Sequence, residues 1–438
     1  MSFAAARDYL RGTINSSPPR QPARLERTRA ILRALGNPQT RYPALHVGGT
    51  SGKGSTATML ARALEASGKR TGLHAKPHLG SMTERMRIDG TAVGEDELAA
   101  LLEETRPILD RVASEFGNPT YDEILLILSF AHFARANVDV AVIEVGAGGT
   151  LDGTNVLLPQ VSVITNVGFD QTEIAGNALE DIALDKAGIA KRGVPLVSDV
   201  YDSAARRQIE QTCAHVGAPF LSVRDLVEIE DRSGERYGQS FVLCTPADRY
   251  VLSLPVLGRF QQRNAATAIL ALEQLEPELR PSHDDIVAAM ATLVLPGRME
   301  FFPSYPPVIF DIAHNPDKAR SLVDSLLETF AARRFTTVVA IGENKDAKGF
   351  LRELSRLPAS FVFTAFESTG RSSMRPSRVA GIAGDLGMWG REVNDPVEAL
   401  SIARRSAAAE DIVLVTGSTY VVGLLRDWWF QSVVAQEH

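Results

Sequence analysis

Residues 43–66 most constrain what this chain can become. An apolar stretch, Pro43-Ala44-Leu45-His46-Val47, runs into Gly48-Gly49-Thr50-Ser51-Gly52-Lys53-Gly54-Ser55 and then into the helix-like segment Ser55–Ala66. A strand that ends in glycines and turns directly into a helix leaves backbone N–H groups unpaired at the helix N-terminus, where the helix dipole also favours negative charge. One lysine among those amides completes a cradle for phosphate. The run therefore predicts a nucleoside triphosphate site at a strand end. Its spacing departs from the common phosphate loop. Three residues rather than four separate Gly48 from Gly52, and Gly54 stands between Lys53 and Ser55.

The rest of the chain repeats the strand–helix alternation that such a loop needs. Its 438 residues exceed what one hydrophobic core organises, which predicts two domains. Runs rich in Val and Ile at 43–47, 71–74, 138–144, 161–166 and 195–199 alternate with helical patterns at 55–67, 95–116, 122–136, 179–190 and 202–216. That order implies βαβ units and a parallel sheet. Residues 4–36 read as helix broken at Ser16-Ser17-Pro18-Pro19. Residues 218–256 read as a small β insertion with a hairpin tip at Glu230–Arg236, followed by helices at 262–275 and 283–293. A second series begins near Pro296-Gly297-Arg298, with strands at 307–312, 336–341, 360–364 and 411–416 and helices at 317–330, 349–356 and 396–408; the polar Ser368–Arg378 reads as a loop. The expected class is α/β, with an N-terminal P-loop NTPase-like parallel-sheet domain over 1–295 and a smaller C-terminal Rossmann-like α/β domain over 296–438.

Composition narrows the partners. Hydrophobic content of 45% with 23% charged residues is ordinary for a soluble globular protein. A net charge of −7 argues against nucleic acid as the main partner. No apolar run is long enough to span a bilayer, and the first residues lack the pattern of a signal peptide. Cys213 and Cys244 supply neither a disulfide framework nor metal-ligand spacing. The expectation is a cytoplasmic enzyme with no nucleic-acid or membrane partner.

Two further strand ends carry chemistry. Glu144 in Ile143-Glu144-Val145-Gly146 is an acid at a strand end beside the phosphate loop, suited to holding Mg²⁺ directly or through water, although such a carboxylate can also merely cap a turn. Asp311-Ile312-Ala313-His314-Asn315-Pro316 closes the first strand of the second series, with an Asp and a His three positions apart before an Asn-Pro turn. A lone His there is more often structural. Lys186, in Leu184-Asp185-Lys186-Ala187-Gly188, would by itself read as solvated surface.

Taken in order, these motifs resemble the Mur-type amide ligases, in the folylpolyglutamate synthase/dihydrofolate synthase branch. The resemblance covers almost the whole chain. It runs through Arg24–Gly36, Pro43–Ser55, Pro77-His78-Leu79, Thr83-Glu84-Arg85, Glu144–Asn155, Thr165-Asn166-Val167-Gly168, Asp185–Gly188, Asn264–Ala268, Pro296-Gly297-Arg298, Asp311–Pro316 and Gly417-Ser418. It implies a reaction in which ATP activates a carboxylate as an acyl phosphate and an amino group displaces the phosphate. The substrates it implies are a small carboxylic acid of folate type and glutamate, with ATP and Mg²⁺, on a monomer. By the same resemblance, Lys53 and the loop Gly49, Thr50, Ser51, Gly52, Gly54 and Ser55 bind the phosphates. Glu144, with Ser55 and Gln171, serves the metal. Lys186 is a carbamylated lysine, Asn264 contacts the adenine side, and Arg298 and Asp311 reach the nucleotide across the domain gap. His314 lies near the phosphates or the incoming amino acid, and Ser418 near substrate.

The chain also departs from that pattern. Lys76 in Ala75-Lys76-Pro77-His78 stands where the family has a metal-ligating serine, and a protonated lysine cannot ligate a cation. Gln171 in Phe169-Asp170-Gln171-Thr172 replaces a histidine ligand. Around the acyl-substrate pocket, Asp122 follows Thr120-Tyr121 in place of an aromatic residue, and Thr150 follows Gly148-Gly149 in place of an arginine. Three readings stay open: a folate ligase, a ligase for another acid, or a nucleotide-binding paralogue without catalysis. Lys53→Ala is expected to abolish ATP-dependent turnover, and Glu144→Ala nearly to do so, measured as ADP release; wild-type turnover by Lys53→Ala would refute the phosphate assignment.

Overall fold

The computed structural model describes residues 1–14, 22–169, 178–232, 237–368 and 371–432. Its first sheet holds Ala44–Gly48 (β1), Thr71–His74 (β2), Met86–Ile88 (β3), Thr91–Ala92 (β4), Val140–Glu144 (β5), Val161–Ile164 (β6), Leu196–Ser198 (β7) and Phe220–Ser222 (β8). The order across the sheet is β4-β3-β2-β5-β1-β6-β7-β8. β2, β5, β1, β6, β7 and β8 run parallel, whereas β3 and β4 pair antiparallel at one edge. β1 lies between β5 and β6, and all five of its residues are buried.

Both faces of this sheet are covered, which is why its strands read as continuous apolar runs rather than alternating ones. Successive side chains of β5 still divide between the faces. Val140 and Val142 pack with helices Lys53–Ala66, Phe260–Leu272 and His283–Ala291, whereas Ala141 and Ile143 pack with Phe3–Gly12, Glu95–Phe116 and Tyr121–Arg135. The expected insertion at 218–256 is narrower than the sequence suggested, because β8 is a parallel strand of the main sheet. The antiparallel part is Glu228–Arg232 (β9), Gln239–Cys244 (β10) and Arg249–Leu254 (β11). Residues 233–236 of the expected hairpin tip, and the expected break at 16–19, lie outside the described residues.

The second sheet comprises Glu300–Phe302 (β12), Val308–Phe310 (β13), Phe335–Val339 (β14), Ala359–Phe363 (β15), Gly390–Glu392 (β18) and Ile412–Thr416 (β19), in the order β12-β13-β19-β14-β15-β18. All its neighbours are parallel except β12 with β13. The segment expected as a loop instead forms the small hairpin Glu367–Ser368 (β16) and Arg371–Ser372 (β17), and from Pro376 it is helix, with proline where its missing N–H is tolerated. No helix among the described residues is long and apolar enough to cross a membrane.

Two contacts connect the architecture to the cleft between the sheets. Helix Thr419–Ser432 presses against the 75–79 loop of the first sheet: a methyl on Gly423 would lie 2.1 Å from the Leu79 carbonyl oxygen. Arg27, nearly fully buried, makes two hydrogen bonds of 3.1 and 2.8 Å to the Glu123 carboxylate and one of 2.9 Å to the Phe116 carbonyl. Glu123 also closes the capping box with Thr120 that begins the helix Tyr121–Arg135. This buried pair fixes the position of Tyr121 and Asp122 at that helix start. Arg27→Ala would strand the Glu123 carboxylate in the core and should cost about 3–5 kcal/mol; equilibrium urea unfolding measures it, and a loss below about 1 kcal/mol would show that the pair is dispensable.

Candidate active site

The phosphate cradle forms where β1 ends. Gly49 and Gly52 hold φ of 135° and 80°, the second as the N-cap of helix Lys53–Ala66, which has no side-chain cap. The first-turn amides of that helix therefore have no side-chain acceptor from the cap and face the cleft. The adjacent strand end braces the loop. The Asn166 side-chain oxygen accepts from the amides of Thr50 (3.1 Å) and Ser51 (2.7 Å), and the Thr165 hydroxyl donates to the Ser51 carbonyl at 2.6 Å. Thr50 is further tied to the backbone of Gly168.

Two ammonium groups converge on the loop. Lys53 donates to the carbonyls of Gly49 (2.9 Å) and Thr50 (3.2 Å). Lys186, on helix Leu179–Ala187, is buried rather than solvated, and its Nζ donates to the Gly49 carbonyl at 3.1 Å. Thr150 hydrogen-bonds through its amide and hydroxyl to the Asp185 carbonyl, so it ties the 146–152 loop to the start of the Asp185–Gly188 turn. Ser55 is buried in the first turn of the loop helix.

Glu144, the last residue of β5, is buried opposite Val47 of β1. Its Oε2 accepts from the Lys76 backbone N–H at 2.8 Å. A methyl on Gly54 would lie 3.5 Å from both Glu144 Oε2 and Arg298 Nη2, so an acid of the first sheet and a guanidinium of the second series flank the same turn. Asn264 packs on Gly52, where a methyl would lie 2.5 Å from its side-chain oxygen, and its amide nitrogen donates to Gln261.

The second sheet contributes its own strand-end cluster. Asp311 is buried; its two oxygens accept from the amides of Ala313 (2.8 Å) and Met299 (2.9 Å). Burial pushes its carboxyl above the ordinary carboxylate range, against those two amides and the nearby Arg298 and Lys318. His314 donates from Nδ1 to the Ile312 carbonyl at 2.9 Å, which leaves Nε2 as the acceptor facing Lys318 Nζ at 3.3 Å. Ser418 accepts from the Tyr420 amide, and the preceding Gly417 amide binds the Ala313 carbonyl, so the 417–418 turn abuts the His314 turn.

Known proteins share this fold. Residues 47–272 match the Mur ligase middle domain and residues 297–419 the glutamate ligase domain of Mur ligases. The dihydrofolate synthase/folylpolyglutamate synthase of Bacillus subtilis is 30% identical over 430 residues, spanning 97% of this chain and 98% of its own length. The folylpolyglutamate synthase of Mycobacterium tuberculosis, solved with ADP, superposes with a TM-score of 0.89 at 28% identity over 98% of both chains. Escherichia coli FolC in complex with DHPP and ADP gives 0.87 at 27% identity, over 100% of this chain and 99% of that one. The chain belongs to the Mur ligase family. Within it, the chain lies in the folylpolyglutamate/dihydrofolate synthase branch and is an ATP-dependent ligase.

Two of the positions at which this Mur ligase departs from its family prove to be partners. Lys76 Nζ lies 3.3 Å from Asp122 Oδ2, and Arg85 binds the other oxygen of Asp122. Lys76 and Arg85 hold the part-exposed Asp122 carboxyl well below the usual range. Arg85 also stacks over the Tyr121 ring, 5.0 Å from its centroid, and donates from Nε to His78 Nδ1 at 3.0 Å. Burial and that guanidinium push His78 down to about 4, leaving it neutral. Gln171 lies outside the described residues.

Several contributors lie within motifs of the resemblance, which assigns them no role. Thr165 and Asn166 act because they follow β6, the strand beside β1. The roles of Arg85 and Asp152 cannot be read locally, since their partners Asp122 and Arg24 are distant in sequence. Asn166→Ala should raise the Kd for ADP about tenfold, because the Thr50 and Ser51 amides lose the acceptor that orients them; calorimetric titration tests this, and an unchanged Kd would show the loop to be held by its glycines alone.

Proposed function

We propose that this ligase adds glutamate to the carboxylate of a folate-type acid, as a folylpolyglutamate synthase, a dihydrofolate synthase or both. The observation that supports it most directly is the convergence of the 49–55 loop, Glu144 and Lys186 with Arg298 at Gly54, while Asp311, His314 and Ser418 cluster at the strand ends of the second sheet. In this reading the loop amides and Lys53 bind the β- and γ-phosphates. Glu144 and Ser55 offer oxygen donors that suit Mg²⁺, with phosphate oxygens and water completing its shell. When bound, Mg²⁺ neutralises phosphate charge. Arg298 adds a fixed cation from the other side of the turn, Asn264 takes the adenine side, and Asp311 orients the Met299 and Ala313 amides around the nucleotide. The substrate carboxylate attacks the γ-phosphorus and ADP leaves. The amino group of glutamate then attacks the acyl carbon and phosphate departs.

His314 and Ser418 face the incoming amino acid in this scheme, and Nε2 of His314 is in the form that accepts a proton. Tyr121, Asp122, Lys76 and Thr150 line the acyl side. Lys186 would need carbamylation to become a metal-region carboxylate, which would leave Nζ uncharged with one N–H for the Gly49 carbonyl. An acyl phosphate hydrolyses readily, so closure of the cleft over it is part of the proposal. We place the division between domains at 295/296 and take the working unit as a cytoplasmic monomer. The two sheets and the separate spans of the two family matches support that division.

A second reading, a ligase for another acid, is favoured by one observation: the acyl side carries the Lys76–Asp122–Arg85 cluster instead of an aromatic wall. The deciding experiment supplies Mg-ATP and glutamate with dihydropteroate, with tetrahydrofolate or with neither, and reads ADP and product mass. Glutamylated product with either folate is the expected result. No ADP release and no glutamylated product with either acid, despite intact nucleotide binding, would move the assignment to another acid.

A further inference from the structure

The space beside Glu144 is shared between the phosphate loop and Lys76. Its backbone amide occupies Oε2 of Glu144, and its side chain curls over the Gly146 backbone, where a methyl would lie 2.8 Å from Nζ and 2.7 Å from Asp152 Oδ2. The ammonium is thus set between two carboxylates, Asp122 at 3.3 Å and Asp152 across Gly146, while the main chain of the same residue holds Glu144. Sites that transfer a phosphoryl group commonly neutralise its charge with two divalent ions. A second ion here would need free oxygen ligands, and the nearby acids are committed. Asp122 lies between Lys76 and Arg85. Asp152 receives the Ala147 and Thr154 amides and the Thr154 hydroxyl, with Arg24 at 3.7 Å. Among the described residues no group of three or more His, Cys, Asp or Glu is placed to hold a metal ion. A divalent ion would also stand against a fixed ammonium in a partly buried cleft, where like charges repel strongly.

We propose that the Lys76 ammonium is a built-in cation of the phosphoryl-transfer site, taking the place of a second divalent ion, so that nucleotide binds with a single Mg²⁺. The proposal rests on the ligase reading for the location of the γ-phosphate. Asp122 is the resting partner that keeps the ammonium in place: its side chain is 41% exposed, so the pair faces the cleft and can exchange one oxygen partner for another. A phosphate oxygen entering beside Glu144 takes over one of the ammonium protons, and Arg85 continues to hold Asp122. The simultaneous presence of Lys76 and Asp122 follows, since without Asp122 the ammonium would lose its hydrogen-bonded partner at the mouth of the site.

The test uses nucleotide and metal alone. Mn²⁺ titrated into the wild-type enzyme with a non-hydrolysable ATP analogue, followed by electron paramagnetic resonance, should give one ion per bound nucleotide. Lys76→Met should lose about tenfold in affinity for the analogue while its ADP affinity stays within about twofold, which also reports that the variant is folded. Lys76→Arg keeps the charge and the Asp122 pair and should retain the wild-type ratio of the two affinities. Two Mn²⁺ per nucleotide in the wild type, an unchanged ratio in Lys76→Met, or an equal loss in Lys76→Arg would each overturn the proposal. Failure of the wild type to bind nucleotide would overturn the ligase reading as well, whereas two ions overturn this inference alone.

Discussion

A backbone that must stay unpaired is the constraint from which the rest of this structure follows. The turn from β1 into the Lys53–Ala66 helix exposes amides that no ladder and no side-chain cap satisfies. Left to itself, such a loop would collapse onto any nearby acceptor. It keeps its shape because Gly49 and Gly52 accept left-handed φ values and because Thr165 and Asn166, at the end of β6, hold its carbonyl and amides from the side. That bracing needs β6 directly beside β1, and Glu144 needs β5 on the other side; the observed strand order supplies both. The sheet topology is in this sense part of the site. Ligands of open α/β sheets bind outside the carboxyl ends of the strands, and this sheet arranges three consecutive strand ends around one cradle.

Charge placement then decides what the cradle can do. Lys53 and Lys186 both donate to the Gly49 carbonyl, two ammonium groups on one loop oxygen. Arg298 arrives from the second series of elements on the far side of Gly54. This concentration of positive charge is tolerable because acids interleave with it: Glu144 beside the loop, Asp122 and Asp152 around Lys76, Asp311 near Arg298. A triphosphate bringing its own negative charge would be stabilised by groups already oriented toward it, with little reorganisation required when charge moves during transfer.

The parts of the molecule legible in the sequence are those with local causes. The β1–loop–helix unit could be read because glycine, lysine and an apolar strand must be adjacent in the chain to make it. The long parallel strands could be read because burial on both faces makes them uniformly apolar. The edge strands β3, β4, β12 and β18 could not, because two or three residues are too few to display a period. The helix Thr419–Ser432 is rich in β-branched and aromatic residues and interrupted by Gly423, so its propensity is poor; packing of that glycine on Leu79 is what makes it necessary. Lys186 had to be carried by family resemblance, since nothing in Leu184–Gly188 announces a buried ammonium.

The same distinction explains why the departures at Lys76 and Asp122 looked unrelated in sequence and are coupled in space. They are 46 residues apart, one on the loop after β2 and the other at the start of a helix whose position depends on the buried Arg27–Glu123 pair. Their charges answer one another: Asp122 offers one oxygen to Lys76 and the other to Arg85, so neither the lysine nor the acid stands alone. Together they form an ion pair that adds no net charge to the site. The nucleotide contacts of the loop, Glu144 and Lys186 do not depend on the Lys76–Asp122 pair, so the two parts of the site are separable in the structure.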